Sequence, residues 1–496
     1  MSILKAKAPR SREKRLDTMN AWQGGAAAVA AELSGESTVQ RIRTFSQSSP
    51  DDLLYALQLL AGIRNSVTVV HAPRGCAAAG LHYQASAAGS GLAVTNLDER
   101  DTIMGADLKL RKAVTALHHR YHPEVIFIVS SPVVAINNDD IQSVVEELHE
   151  ELEVAIVPVY VSGFASRNAV TGYDSTLHAL LKYLGGPRKA REAGNKVNLL
   201  SVAEHRADLR EVQRLLSELG VELNVLPDTA SAAAFREATS ARLSIPLDQD
   251  TEDYLGQSLR DEYGVPYIEA PRPIGLGATG RWLAAAGAAL GLEQEARALH
   301  EREVAATLQA LEAFTSVSRL SPDTTQRLDN STTQRLNDLT TLNGVRVYLG
   351  LATATAFGVL ELVQELGGEV VGITVSHLDQ LHDKRLKELS KRQPDLQIHV
   401  ADGQPFEEVS LLKRLSPDLY LGDAAHLGQI GRLGLPVVSL EETPILGYRG
   451  LTSLARRVTL ALHNRSFGVS LGHTSPPYQD SWYRRSPNWH IKQEVK

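Results

Sequence analysis

SVTVVHAPRGCAAAG, residues 66–80, opens as a β-branched apolar run and closes in a Pro and Gly loop that carries the one cysteine of the chain. A short apolar run bounded by turn residues reads as a strand buried in a sheet. Downstream, the charged amphipathic stretch 101–119 predicts a helix, and EVIFIVSSP from Glu124 predicts the next strand. The alternation continues: DDIQSVVEELHEEL after Asn138 reads as a helix and VAIVPVYV from Val154 as a strand. A Gly and Ser loop at 162–166 and a helix after Asp174 follow. Upstream, a helix is predicted over 51–61. Strands alternating with helices specify a parallel α/β layer.

Two further blocks repeat the pattern. KVNLLSV at Lys196 is followed by the helix ADLREVQRLLSELG and the strand VELNVL, whose loop ends in the turn and cap residues Pro227, Asp228 and Thr229. VRVYLGLATATAFGVLELVQELGGEVVGITV, after Gly344, again gives strand, loop, helix and strand, and continues through LQIHVADG, PDLYLGDAAH and LPVVSL. Between these blocks lie a helical stretch at 292–315 and a polar tandem duplication, TTQRLDNS from Thr324 and TTQRLNDL from Thr332, which reads as an inserted linker. The expected division is an N-terminal extension (1–45), a first domain with the cysteine loop (46–190), a second with the helical stretch (191–320), the insert (321–343), a third domain (344–465) and a tail (466–496). The extension, basic and then Ala-rich, reads as loosely held.

Composition agrees with this division. A chain of 496 residues exceeds a single hydrophobic core, so two to four compact units are expected. With 43% hydrophobic and 22% charged residues the chain is globular rather than disordered. Its 51 basic against 58 acidic residues exclude a globally basic nucleic-acid binder. No apolar run approaches the roughly 18 residues of a membrane helix, and the basic start MSILKAKAPRSREKR has no apolar segment after it, so a soluble cytoplasmic protein is expected. One cysteine excludes an internal disulfide framework and a zinc ribbon built from this chain alone.

Cys76 is placed just after a strand and at the mouth of an expected helix, where backbone N–H groups favour a thiolate. It reads either as a nucleophile or metal ligand, or as a small buried residue packing a strand end, and composition alone does not separate the two. A catalytic thiol would need a histidine; His71, His82, His118, His119 and His122 are candidates by proximity in sequence. The HHRYH cluster at 118–122 falls at a helix C-terminus, where histidines face the dipole favourably, and is not expected to bind metal. PIGLGATG, 273–280, matches the spacing G-x-G-x-x-G but follows no strong strand; it reads as a helix-initiating turn rather than a nucleotide site.

Together these stretches resemble the nitrogenase component 1 family, which includes nitrogenase catalytic subunits, cofactor-assembly scaffolds and related reductases. The resemblance is carried by HAPRGC at 71–76, TNLDERDTIMGADLKLRKAV from Thr95, IVSSPVVAINNDDIQSV from Ile128, VPVYVSGFASRNAVTGYDSTLHALLKYL from Val157, PIGLGATGRWL from Pro273 and LGYRGLTSLARRV from Leu446. It implies three Rossmann-like domains with parallel sheets flanked by helices, pairing with a homologous alpha-type subunit as a heterodimer or heterotetramer, an iron-sulfur cluster shared at that interface, and docking of an ATP-dependent iron-sulfur reductase. By position Cys76 inherits the role of cluster ligand, with Arg74 and Gly75 beside it as cofactor-contacting positions.

The departures shape the expectation. Family members with the large eight-iron cluster bring three cysteines per subunit; here the first position falls near Ser48 or Ser49 and the third near Ser130 or Ser131. The implied cluster is therefore a four-iron one with three ligands from the partner and one from this chain. An oxygen ligand from Asp51 or Asp52 rivals Cys76, because the family admits an aspartate near the first position. With no second cysteine the chain cannot anchor the active-site cofactor of the catalytic subunits, and His426 is read as structural or as a domain-interface residue. The expected function is a beta-type subunit relaying electrons in a nitrogenase-like reductase. The alternatives are a scaffold subunit for assembling an iron-molybdenum-type cofactor, or a member that has lost its cluster. The tail SWYRRSPNWHIKQEVK, rich in Trp, Tyr and Arg, is expected either to wrap onto a partner or to pack on its own domain.

Overall fold

The computed structural model describes residues 9–35, 38–43, 51–80, 90–164, 166–186, 195–318, 342–464, 469–470, 472 and 484–493. The polar duplication at 324–339 lies outside the described residues. Fifteen strands are defined among them: β1 (Trp22–Gly25), β2 (Arg41–Arg43), β3 (Ser66–His71), β4 (Ser90–Val94), β5 (Val125–Ser130), β6 (Ala155–Val159), β7 (Val197–Ser201), β8 (Leu223–Pro227), β9 (Leu243–Pro246), β10 (Arg346–Gly350), β11 (Glu369–Val375), β12 (Gln397–Val400), β13 (Leu419–Gly422), β14 (Val437–Ser439) and β15 (Ile491–Gln493). The α/β class with parallel sheets flanked by helices is what the sequence led one to expect.

The chain groups into two compact units. The first comprises Met1–Arg15, Pro50–Glu204 and Val221–Glu269 and holds two parallel sheets, ordered β4-β3-β5-β6 and β8-β7-β9. Every residue of β3 and β5 is buried, as expected of parallel strands covered on both faces. Helix Asp52–Ala61 starts where the Asp51 carboxylate accepts the Leu54 amide at 3.0 Å. It packs on helix Thr171–Leu184, whose turns are almost entirely buried, and both contribute to a core shared with Val70, Phe127, Val157, Phe235 and Leu259.

Asp228, directly after β8, ties the β7 loop down: it accepts the Ser201 hydroxyl at 2.7 Å and the Ala203 and Glu204 amides at 2.9 and 2.8 Å. Burial outweighs these donors and pushes its carboxyl up to about 7. The folded state then holds a proton that an unfolded aspartate releases near pH 4, so the contribution of this group is greatest below pH 4 and is lost as pH rises towards 7. The loss attributable to this group is expected to reach up to about 4 kcal/mol. Comparing urea unfolding at pH 5 and pH 8 checks it: Asp228→Asn should flatten the difference, and an unchanged difference would assign the pH dependence to other groups.

The second unit comprises Leu16–Ser49, His205–Gly220 and Ala270–Lys496. Its six-stranded sheet runs β1-β12-β11-β10-β13-β14; the five strands β10 to β14 are parallel and doubly wound, and β1 adds an antiparallel edge with Trp22 opposite Val400. β15 pairs antiparallel with β2, Ile491 opposite Arg43.

One expectation about the chain ends is corrected. Residues 9–35, read as a loose extension, are built into the fold: Arg12 is fully buried against Asp250 in the first unit, and β1 completes the large sheet in the second. The described part of the tail packs on its own unit: Pro487, His490 and Ile491 are buried, and Arg485 O and Arg484 O accept from Ser410 and Arg414. Of the two readings of the tail, these residues follow the packing on its own unit, through apolar anchors and a strand register.

Candidate functional site

The carboxyl ends of β3, β5 and β6 place three sequence motifs together in the first unit, the edge at which parallel α/β sheets present ligands. After β3, Pro73 leads into a tight 3₁₀ helix, Arg74–Gly80, with Cys76 in its first turn. The Cys76 amide donates to Pro73 O at 3.1 Å, so contrary to the sequence expectation this N–H is not free to support a thiolate. Cys76 is a free, half-buried thiol packed against the core of the unit. Arg74 and Gly75 beside it are exposed, and a side chain at Gly75 would meet nothing within 4 Å. The thiol thus has an apolar backing, and among the described residues nothing crowds the exposed Gly75 beside it.

Behind the loop, His71 ends β3 fully buried. Its Nδ1 lies 3.1 Å from Thr95 Oγ1, which accepts the Ala72 amide at 3.0 Å, and its Nε2 lies 3.4 Å from Asp139 Oδ2. Burial lowers His71 to about 4, so the ring is neutral near pH 7, and burial likewise pushes the Asp139 carboxyl up. The neutral imidazole, held by a hydroxyl on one side and facing a carboxylic group on the other with which it makes no hydrogen bond, adds no charge behind Cys76.

The oxygen candidates among the described residues make other bonds. Asp51 caps its helix. The buried Asp52 carboxylate accepts the Ser162 and Gly163 amides at 3.1 and 2.5 Å, and desolvation raises its pKa despite them. Ser130 Oγ donates to Val161 O at 2.5 Å and accepts from Val161 N at 2.9 Å, while Ser131 caps helix Pro132–Asn137. Ser48, Ser49 and His82 lie outside the described residues. His118, His119 and His122 sit edge to face, ring centres 5.6 and 6.2 Å apart, and neither they nor Cys76 join a cluster of three potential ligands among the described residues.

Sequence reasoning missed an apolar surface at this edge. The stretch after Thr95 breaks at Gly105 (φ +93) into helices Glu99–Met104 and Asp107–Tyr121, and leaves Ile103, Met104 and Leu108 at 80%, 76% and 73% exposure. Ile136, 72% exposed, lies on helix Pro132–Asn137, which Asn137 Nδ2 ties to Thr102 O at 3.2 Å. Apolar patches of this kind mark interaction surfaces. The available signal was TIMGADL itself, apolar residues flanking a glycine inside a charged stretch.

In the second unit the glycine-rich turn opens helix Gly275–Leu290, and the chain fills the anion position itself: Glu365 accepts the Leu276 and Gly277 amides at 2.7 and 2.8 Å. A Cβ at Gly275, whose φ is +82, would fall 2.5 Å from that carboxylate. The match to G-x-G-x-x-G is thus accounted for by an internal cap. His426 lies in helix Ala424–Gly431, and its side chain falls outside the described residues. Among the described residues no helix is long and apolar enough to cross a membrane.

Comparison with known proteins gives one consistent answer. A family model described as nitrogenase component 1 type oxidoreductase matches residues 53–463. Among curated relatives, the nitrogenase iron-molybdenum cofactor biosynthesis protein NifE of Methanococcus maripaludis is 25% identical over 420 residues, covering 82% of this chain and 81% of the relative. NifE of Nostoc sp. is 24% identical over 420 residues, covering 82% of each. Among solved structures, one titled nitrogenase Cp1 at pH 5 superposes with a TM-score of 0.72 at 16% identity over 90% of this chain and 94% of that one, a likeness of fold.

Proposed function

Because the chain belongs to the nitrogenase component 1 type oxidoreductase family, we propose that it is a scaffold-type subunit for assembly of an iron-molybdenum-type cofactor. In this reading it pairs with a homologous subunit and shares one iron-sulfur cluster with it through Cys76. The observation that carries the reading is the placement of the lone thiol: half-buried at the carboxyl end of β3, apolar behind and next to the exposed Arg74 and Gly75, with each described oxygen neighbour bonded to backbone. One thiolate fits a small cluster completed by a partner's ligands and does not fit half of an eight-iron cluster. Such a cluster would supply electron storage at the interface; this chain's part is to hold one corner against a rigid sheet edge. The curated relatives matched over most of the chain are named for cofactor biosynthesis, which favours the scaffold over the electron-relay role that the sequence placed first. The single cysteine sets aside a cofactor-anchoring catalytic subunit and is compatible with both the scaffold and the relay role. The exposed Ile103, Met104, Leu108 and Ile136 offer a docking surface for a partner subunit or an ATP-dependent reductase.

The test is anaerobic co-purification with the homologous subunit, counting iron and acid-labile sulfide for the native protein and for Cys76→Ala. About four irons per heterodimer are expected in the native complex, lost in the variant; unchanged iron would remove Cys76 from the ligand set. Additional iron and molybdenum on complexes from cells making the cofactor, transferable to a cofactor-free catalytic protein, would mark the scaffold. Their absence, with the small cluster retained, would return the relay reading.

A further inference from the structure

Helices Gly275–Leu290 and Glu293–Ser318 form a hairpin across Gly291 (φ +72), and between them in the second unit lies a cleft of about 430 Å³. That is the size of a small-molecule site. Its floor is backbone and small side chains, Gly277, Gly280 and Ala284, so nothing bulky fills it from below. Three donors stand around it. Arg297 is exposed and makes no ion pair among the described residues. Arg281 spends one N–H on Glu361 at 2.8 Å and keeps the rest of its fork. His300, half-buried, is fixed from behind: its Nδ1 lies 2.6 Å from the hydroxyl of Tyr448, which is 1% exposed.

The His300 contact sets the tautomer. Among the described residues the Tyr448 hydroxyl has no acceptor but His300 Nδ1, so the tyrosine donates and the neutral ring carries its proton on Nε2. Gly280 makes room for the ring: a Cβ there would fall 2.6 Å from His300 Cε1. With Arg281 already paired to Glu361, the charges balance; what the lining offers is unspent N–H donors on Arg281, Arg297 and His300 with Glu293 as its single acidic member, a donor set that suits an anionic oxygen group. The helix N-terminus below is not the attraction, since Glu365 already occupies its first amides.

We propose that this cleft binds a small molecule through a carboxylate or phosphate group held by Arg281, Arg297 and His300. The site lies apart from the Cys76 loop and does not depend on the scaffold reading.

Isothermal titration of the full-length chain in low-salt buffer at neutral pH, with citrate and with inorganic phosphate as separate probes, tests it. At least one is expected to bind the native chain at one site. Arg297→Ala should weaken that binding roughly tenfold or more, Arg297→Lys should recover part of it, and Arg302→Ala should leave it unchanged, because Arg302 on the same helix pairs with Glu218 and does not line the cleft. Binding of citrate alone identifies a carboxylate ligand, and of phosphate alone a phosphate-bearing one. If neither probe binds the native chain, or if Arg297→Ala binds as the native chain does while its thermal unfolding is unchanged, the proposal is overturned.

Discussion

Arg12→Met is expected to destabilise the first unit by about 3–5 kcal/mol, the usual result of leaving a buried charge without its partner. The Arg12 guanidinium is fully buried; it donates to Asp250 Oδ1 and to Asp250 O, both at 2.5 Å, and the Arg12 amide donates to Thr171 Oγ1 at 3.1 Å. Around it Arg15 pairs with Asp174 at 2.6 Å, and Glu13 accepts the Ser166 hydroxyl at 2.9 Å. Methionine keeps the bulk and removes the charge, so the loss reads the ion pair rather than a cavity. Adding Asp250→Asn should recover part of the loss, because it removes the buried negative charge that Arg12 compensates. Urea unfolding of the single and double variants measures both. A loss below about 1 kcal/mol, the range of exposed ion pairs, would mean that the surrounding contacts and not this charge seat the segment.

The second large effect is expected at Gly172. A Cβ there would lie 2.1 Å from Asp52 O, a backbone atom of the neighbouring helix, so Gly172→Ala must push helices Asp52–Ala61 and Thr171–Leu184 apart. Overpacking against backbone costs roughly 3 kcal/mol or more. The displacement is expected to reach the site, because the Asp52 carboxylate holds the Ser162 and Gly163 amides at the sheet edge that bears Cys76. The variant should therefore unfold at lower denaturant and, in the co-purified complex, retain less iron than native protein. Iron retained in full would show that the Cys76 loop is held independently of the Asp52 helix.

Much of the first unit was legible in sequence because its strands are continuous, largely apolar runs: the observed strands SVTVVH and VIFIVS lie inside the runs read from Ser66 and Glu124. The Cys76 loop was legible as a motif. The edge strand β1 was not, since WQGG has neither alternation nor β-branched residues and owes its extended form to pairing with β12. Nor was the commitment of the oxygen candidates: Asp52 meets its amide donors 110 and 111 residues away, and nothing local to its sequence announces them. The glycine-rich turn misleads for the same reason, because the carboxylate that fills it arrives from Glu365, 88 and 89 residues on. Helix and strand type follow from near neighbours, whereas the satisfaction of buried polar groups is settled by topology.

The separation of those partners along the chain also sets a timetable. During synthesis Arg12 emerges 238 residues ahead of Asp250, and Gln23 of β1 emerges 374 residues ahead of Gln397, which its side chain meets in β12. At ribosomal rates of about 5–20 residues per second the β1 segment waits on the order of 20–75 s for its place in the large sheet. For that interval the nascent chain displays Trp22 and the Ala-rich helix Ala26–Leu33 without the strand and helix that later cover them. The yield of folded protein in a cell is then governed by how long the start of the chain can be kept from other surfaces while its end is still being made.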